Sequence, residues 1–352
     1  MKLRLILIVL SLLAFLSVSV GGCIYYYSMR EAAYNEAERQ AATRLEVIEK
    51  NLSFFLSQYV MPVKAMAALA EIRDVLISAD EQNLLEANRV LDYYNHVFEA
   101  EVCYLMSAEG LTVASSNRNF PDSFVGQNFG FRPYFREAIK GSPSTYMALG
   151  TTSGKRGAYF SHPVFQGEGE NPVGVVVVKA SIEQIEKELP TTSYEIVLVA
   201  DPNGLVFISS RKDWLYRLFD EISDRNLDAI IRSRQFGEGP WEKIDLSFHE
   251  SGSHVSDASG KKYLMHRVPL YNFKGWEVIH LQNLEAVSRS VSEPFIRTTG
   301  PVVVALCFLV GISVLLLFSR ASKELERRKN AERALRESEE RYRFIYNNTP
   351  AM

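Results

Sequence analysis

Two uncharged blocks constrain this chain more than any other feature. Leu5–Ile24 (LILIVLSLLAFLSVSVGGCI) and Thr298–Ser319 (TTGPVVVALCFLVGISVLLLFS) contain no Asp, Glu, Lys or Arg. Each is close to the roughly 20 residues that a helix needs to cross a bilayer, which excludes a simple soluble enzyme. Lys2 and Arg4 precede the first block, and Arg320, Lys323, Arg327, Arg328, Lys329 and Arg333 follow the second. The opposite flanks hold only Arg30, Arg289 and Arg297. The positive-inside rule therefore puts both termini in the cytoplasm and Tyr25–Arg297 outside. A cleaved signal peptide is the alternative for the first block, since Val20-Gly21-Gly22-Cys23 resembles a lipoprotein box. A 20-residue apolar run is long for a signal core, however. Cys23 and Cys307 lie in the blocks and Cys103 is alone outside, so the outer region has no internal disulfide and rests on its own core. With 39 Lys+Arg against 42 Asp+Glu, the net charge of −3 argues against a nucleic-acid partner.

Within the outer region, Tyr34, Ala37, Ala41, Leu45, Ile48, Leu52, Phe55 and Tyr59 recur at steps of three and four, one stripe of a long helix. The stripe packs either on its own domain or against a second subunit, and spacing does not separate the two. Pro62 is expected to interrupt the helix, with helical patterning resuming over Val63–Ile77 and Asn83–Phe98.

An internal repeat follows. Val102–Met106, a turn at Ser107–Gly110, then Leu111–Ala114 and Ser115-Ser116 form a hairpin pattern. It recurs 94 positions on as Ile196–Ala200, Asp201–Gly204, Leu205–Ile208 and Ser209-Ser210. Further on, Tyr159-Phe160-Ser161-His162, Gly174 and Val175–Lys179 align with Tyr263-Leu264-Met265-His266, Gly275 and Trp276–His280. This self-similarity predicts two units of antiparallel strands, each closed by a helix (Ala180–Leu189 and Asn283–Val291).

The units differ in candidate chemistry. In the first, Arg132 stands among Phe129, Phe131, Tyr134 and Phe135, where a guanidinium is placed either for bidentate carboxylate recognition or for a surface cation–π pair. Thr151, Thr152 and Ser153 offer hydroxyls, and Gly150 and Gly154 allow backbone N–H groups near an anion. Strand alternation puts Tyr159 and Ser161 on one face, and Lys179 with Val175 and Val177. The GTTSGKRG run is not a phosphate loop, because three residues separate its first glycines and Arg156 replaces the Ser/Thr. The second unit has no equivalent of RPYF or TTSGK, so the first is expected to bind and the second to transmit. His249 and His254 lie in a polar stretch read as an exposed loop, and no metal site or nucleophile is expected.

The runs SNRNFPDSFVGQNFGFRPYF (Ser116–Phe135), YMALGTTSGKRGAYFSHPV (Tyr146–Val164) and PVGVVVVKASIEQIE (Pro172–Glu186) resemble the periplasmic double Cache domain of sensor histidine kinases, most of all the four-carbon-dicarboxylate sensors. The resemblance implies an α+β fold: a long N-terminal helix and two tandem PAS-like antiparallel-sheet units, flanked by two transmembrane helices. It implies a carboxylate held in the membrane-distal unit by Arg132, Thr151, Thr152, Ser161 and Lys179, with Phe129 where the dicarboxylate sensors typically have Tyr. Ser153, Tyr159 and Tyr134 complete the candidate set, and no catalytic residue is expected.

After the second block, Ala321–Asn348 reads as a charged helix, coiled coil or solvated, and ERYRFIYNNTPAM resembles the opening of a cytoplasmic PAS domain. The expected organisation is 1–27 N-terminus and first span, 28–100 long helices, 101–190 distal unit, 191–296 proximal unit, 297–319 second span, 320–340 signalling helix and 341–352 start of a truncated PAS domain. The chain reads as the sensory part of an inner-membrane receptor lacking its output module. No cofactor is expected here, ATP and Mg belonging to the kinase module. The expected partners are a small organic acid, membrane lipid, a second copy and a response regulator. A diguanylate cyclase or chemoreceptor front end, recognising an amino acid or other small carboxylate, is the alternative.

Overall fold

The computed structural model describes residues 2–167, 171–187, 189–190, 194–219, 224–237, 239–249, 253–287, 289, 297 and 300–348. Four helices open the chain: α1 (Lys2–Ser57), α2 (Val60–Ala67), α3 (Ala70–Ile77) and α4 (Glu81–Val97). The first break falls at Gln58–Tyr59, before Pro62 rather than at it. Pro62 lacks the N–H that would reach the Gln58 carbonyl, yet fits the first turn of α2, where N–H groups have no helical partner anyway. Helix α4 begins two residues before the predicted Asn83, because the Asp80 side chain caps it by accepting from the Asn83 N–H at 2.9 Å.

Residues 37–285 form one compact body containing both sheets. The first sheet has strands β1 (Val102–Ser107), β2 (Thr112–Ser115), β3 (Ser144–Leu149), β4 (Arg156–Phe165) and β5 (Pro172–Ser181), in spatial order β2-β1-β5-β4-β3. Helix α5 (Pro133–Ala138) precedes β3 and α6 (Ile182–Lys187) follows β5. The second sheet has β6 (Glu195–Ala200), β7 (Val206–Ser209), β8 (Leu246–Phe248), β9 (His254–Asp257), β10 (Lys262–Pro269) and β11 (Glu277–Asn283), in the order β7-β6-β11-β10-β9-β8. Helix α7 (Asp224–Ser233) lies between β7 and β8 in sequence. All pairings between these named strands are antiparallel.

The two hairpins repeat bond for bond. Ser107 N–H donates to the Leu111 carbonyl at 2.8 Å, and Asp201 to Leu205 at 2.9 Å. Cys103 and Val197 N–H each donate to a serine Oγ, Ser116 and Ser210, at 3.0 Å. A register shift falls at Leu105/Met106 in one and at Val199/Ala200 in the other. Gly110 and Gly204 take φ of +83° and +81°, the left-handed turn position that glycine adopts without strain.

The second half of the repeat is offset from the sequence alignment. Val102 pairs with Lys179, and its counterpart Ile196 pairs with Leu281, so Lys179 corresponds to Leu281 and not to His280. Tyr159, opposite Lys179, corresponds to Met265 and not to Tyr263. The glycines that suggested the alignment have different roles. Gly174 sits inside β5, where a Cβ would meet the Met106 carbonyl at 2.4 Å, whereas Gly275 is a turn residue at φ +79°. The slip is one residue on β11, which reverses the face assigned to each side chain there, and two residues on β10, which leaves the face unchanged.

One face of each sheet joins a common core with the helices, including Leu45, Leu52, Tyr59, Val176, Val178, Val197, Val199 and Val278. The helical stripe from Ala41 to Tyr59 is thus intramolecular packing, with Ala41, Leu45, Leu52 and Tyr59 at most 3% exposed. Val47 and Phe54 of α1 are exposed instead.

Helix α8 (Gly300–Asn348) holds the second apolar block, with its side chains from Lys323 to Phe344 exposed. Residues 298–299 of that block, 349–352 of the predicted PAS opening, and 288 and 290–291 of the predicted Asn283–Val291 helix lie outside the described residues. Helices α1 and α8 are each long and apolar enough to cross a membrane. Their apolar side chains are bare, Phe15 being 60% and Phe308 69% exposed.

Candidate functional site

The other face of the first sheet carries a second, aromatic-rich core that holds the candidate site. Alternation along β1 and β5 brings Val102, Tyr104, Met106, Val175, Val177 and Lys179 to that face, joined by Tyr159 and Ser161 of β4. Phe124, Phe129 and the α5 residues Tyr134 and Phe135 close over it. Tyr134 stacks on Tyr159 with centroids 5.1 Å apart and planes 4° from parallel. Phe129 packs edge-on against Phe124 and Tyr104. Ser161 Oγ donates to the Tyr134 carbonyl at 3.0 Å, tying α5 to the sheet.

Two cations border this aromatic layer, and both are buried, Arg132 at 2% and Lys179 at 0% exposure. Arg132 is the N-cap of α5, so the loop before the helix fixes its backbone. Its guanidinium donates to the Leu149 carbonyl at 2.7 Å and the Arg234 carbonyl at 3.0 Å, and lies 5.2 Å from the Phe131 ring centre. Lys179 Nζ pairs with Glu101 Oε1 at 2.8 Å and donates to Ser153 Oγ at 3.0 Å. Its stem lies over Gly157, where a Cβ would meet Lys179 Cε at 2.5 Å. Burial lowers the Lys179 pKa and Glu101 opposes that shift. Burial also pushes the Tyr134 hydroxyl up to about 12, and those of Tyr104 and Tyr159 well above their usual value. All three phenols are neutral hydrogen-bonding groups, and Tyr104 Oη and Tyr134 Oη are 2.7 Å apart.

The β3–β4 loop divides the predicted hydroxyls. Ser153 turns inward to Lys179, while Thr151 and Thr152 are exposed. Thr151 lines a cavity of about 930 Å³ with Leu149, Gly150, Leu218, Arg234 and Trp241 among others. The loop N–H groups that were expected to meet an anion are used internally, Gly150 donating to the Lys155 carbonyl and Gly154 to that of Gly150, each at 2.9 Å. Gly150 is needed for closeness, since a Cβ there would meet Ser153 Oγ at 2.6 Å.

Spacing did not single out Glu101, Tyr104, Arg156 or Arg234. Tyr104 brings a phenol beside Phe129. Arg156 forms a bidentate pair with Glu186 at 2.5 and 2.6 Å and donates to the Phe207 carbonyl of the second unit at 2.8 Å. The junction is extended by Leu149 N–H to the Gln235 carbonyl at 2.8 Å. Gln235 Nε2 returns to the Met147 carbonyl at 2.9 Å.

The corresponding face of the second unit is mostly apolar, although it also carries Tyr263, whose hydroxyl donates to Asp257 Oδ2 at 3.1 Å, and Arg267, 5.0 Å from the Phe219 ring centre. Register puts Leu198, Leu281 and Met265 where the first unit has Tyr104, Lys179 and Tyr159, packed with Ile196, Ile279 and Phe219. His254 lies on β9 rather than in a loop, and His249 Nε2 is 2.8 Å from Ser256 Oγ; residues 250–252 are outside the described residues.

A family model described as Cache domain matches residues 27–291. The chain is 36% identical over 222 residues to the C4-dicarboxylate transport sensor protein DctB of Pseudomonas aeruginosa, covering 63% of this chain and 36% of that protein. It is 36% identical over 183 residues to DctB of Rhizobium meliloti, covering 52% and 29%. The chain thus spans about a third of the length of these curated relatives. The sensor domain of the V. cholerae histidine kinase DctB superposes with a TM-score of 0.65 at 28% identity, over 71% of this chain and 98% of that one. The sensory domain of the Campylobacter jejuni chemoreceptor Tlp3 with isoleucine bound shares the fold, with a TM-score of 0.51 at 16% identity over 74% and 98%.

Proposed function

The chain belongs to the Cache domain family, and from that premise we propose that it is the sensory region of a two-component sensor histidine kinase that binds a small, dicarboxylate-like organic acid in the periplasm. The relatives named as C4-dicarboxylate transport sensors support this reading. The observation on which it rests is the pair of buried cations, Arg132 and Lys179, in the first unit, against Leu281 and Met265 at the matching face of the second. A carboxylate would exchange with the carbonyl oxygens on Arg132, gaining charge-assisted bonds. The apolar helices α1 and α8 anchor the receptor in the bacterial inner membrane, with residues 25–297 in the periplasm. The intact protein acts as a homodimer whose kinase module uses ATP and Mg and signals to a response regulator.

Calorimetry on the full chain in detergent, with succinate and butyrate as probes, tests the site. Arg132→Ala removes a charged contact and should cost about 2–5 kcal/mol of succinate binding. Lys179→Met should weaken succinate more than butyrate, because only the dianion has a second carboxylate to place. Succinate binding by folded Arg132→Ala at wild-type affinity refutes the site, and equal losses for both probes remove Lys179 from it.

A further inference from the structure

The partner of Lys179 bears on which acids the site accepts. Glu101 immediately precedes β1, and its N–H donates to the Lys179 carbonyl at 2.8 Å, so backbone and side chain both lock it to the end of β5. Its side chain is only 16% exposed. Oε1 takes the ammonium, and the buried Oε2 has no hydrogen-bond partner in the structure. Lys179 is held from the other sides by Ser153 Oγ and by the bare Cα of Gly157. A ligand carboxylate seeking Lys179 therefore meets a carboxylate already there.

We propose that Glu101 is a resident competitor for the second carboxylate, setting how strongly the site prefers a dianion over a monoanion. The proposal rests on the reading of Arg132 and Lys179 as carboxylate contacts. The charges of Arg132, Lys179 and Glu101 sum to +1, which suits one carboxylate. A second must displace Glu101 from Lys179 or bind beside it against like-charge repulsion. With glutamine at this position, Lys179 is buried without a counter-ion, and an incoming carboxylate supplies one. The monoanion, satisfied at Arg132, gains little.

The test compares succinate and butyrate binding by calorimetry to the full chain in detergent at neutral pH, for wild type, Glu101→Gln, Lys179→Met and the double variant. Glu101→Gln should raise succinate affinity by roughly tenfold or more and butyrate affinity by less than about threefold, from the usual strength of a bond to a charged group. The gain should vanish in the double variant. If Glu101→Gln unfolds without ligand, Glu101→Asp replaces it, since retracting the carboxylate by one methylene should also strengthen succinate. Unchanged or weaker succinate binding by the glutamate variants, while Lys179→Met still weakens it, overturns the competitor and leaves the site intact. Indifference of succinate to Lys179→Met and to Arg132→Ala overturns the site itself, and the competitor with it.

Discussion

Acid should loosen the second unit through one buried histidine. His280 is 0% exposed, lies opposite His266 across β10 and β11, and neither of its ring nitrogens has a hydrogen-bond partner in the structure. Burial, then His266 and Arg44, lowers its pKa from 6.5 to about 4. Glu195 Oε2 is 4.0 Å away, but Oε1 of that carboxylate already holds Arg44. The folded pKa is depressed, so the unfolded chain binds more protons between these values. Stability is then complete above about pH 6.5 and falls as pH drops toward 4. With these two pKa values, His280 alone removes about 2 kcal/mol between pH 7.5 and 5. For a body of this size that is a melting shift of about 4–8 °C.

The readout is local, because the chain's three tryptophans, Trp214, Trp241 and Trp276, all lie in the second unit. Thermal unfolding of the full chain in detergent, followed by tryptophan fluorescence at the two pH values, should show this loss. His280→Leu replaces unpartnered nitrogens with hydrocarbon, which is near neutral or stabilising at pH 7.5, and should remove the His280 share of the acid shift. If wild type and His280→Leu lose the same melting temperature between the two pH values, the protonation argument is wrong.

Arg156→Ala breaks a buried bidentate pair and a bond to the second unit, and should destabilise the fold by about 3–5 kcal/mol in urea titrations; a loss under about 1 kcal/mol would mean the pair is solvated like a surface bridge. Single cysteines at Val47 and Phe54, seven residues apart and exposed on α1, should cross-link between subunits with Cys23, Cys103 and Cys307 replaced. Cysteine at the buried Ala41 should not, and the reverse pattern would put the dimer on the other side of the helix.

The sequence-readable features were those with a local cause. Apolar runs without charge gave the two long apolar helices, and Gly110 and Gly204 with their serine pairs gave the hairpins. Arg132 and Lys179 stood out because a cation among aromatics or valines is anomalous at short range. Glu101 did not, since it meets Lys179 across 78 residues and a lone glutamate before a strand has no distinguishing pattern. Arg156 was weighed only as part of a loop, although its partners are Glu186 and Phe207. The sheet register was misread where two glycines looked alike in sequence but one is packed in a strand and the other turns the chain.

If ligand binds at Arg132 as proposed, the contacts on that residue would carry its effect from one unit to the other. Val175, Val177 and Lys179 face the aromatic layer, while Val178 and Ala180 on the same strand belong to the helix-side core. A packed sheet has little room to pass a side-chain movement through its thickness. Arg132, by contrast, holds the carbonyls of Leu149 and Arg234, one from each side of the junction between the units. A ligand that takes those donors leaves two carbonyls to find new partners, and buried carbonyls rarely go without. On the proposed reading the free energy of binding would be applied first to the β3–Gln235 seam, beside which Arg156, the β4 neighbour of Leu149, holds Glu186 and the Phe207 carbonyl. A change in how the second unit rests on the first follows more directly from this arrangement than any distortion within a sheet. Ligand favours the altered junction only to the extent that it binds that state better.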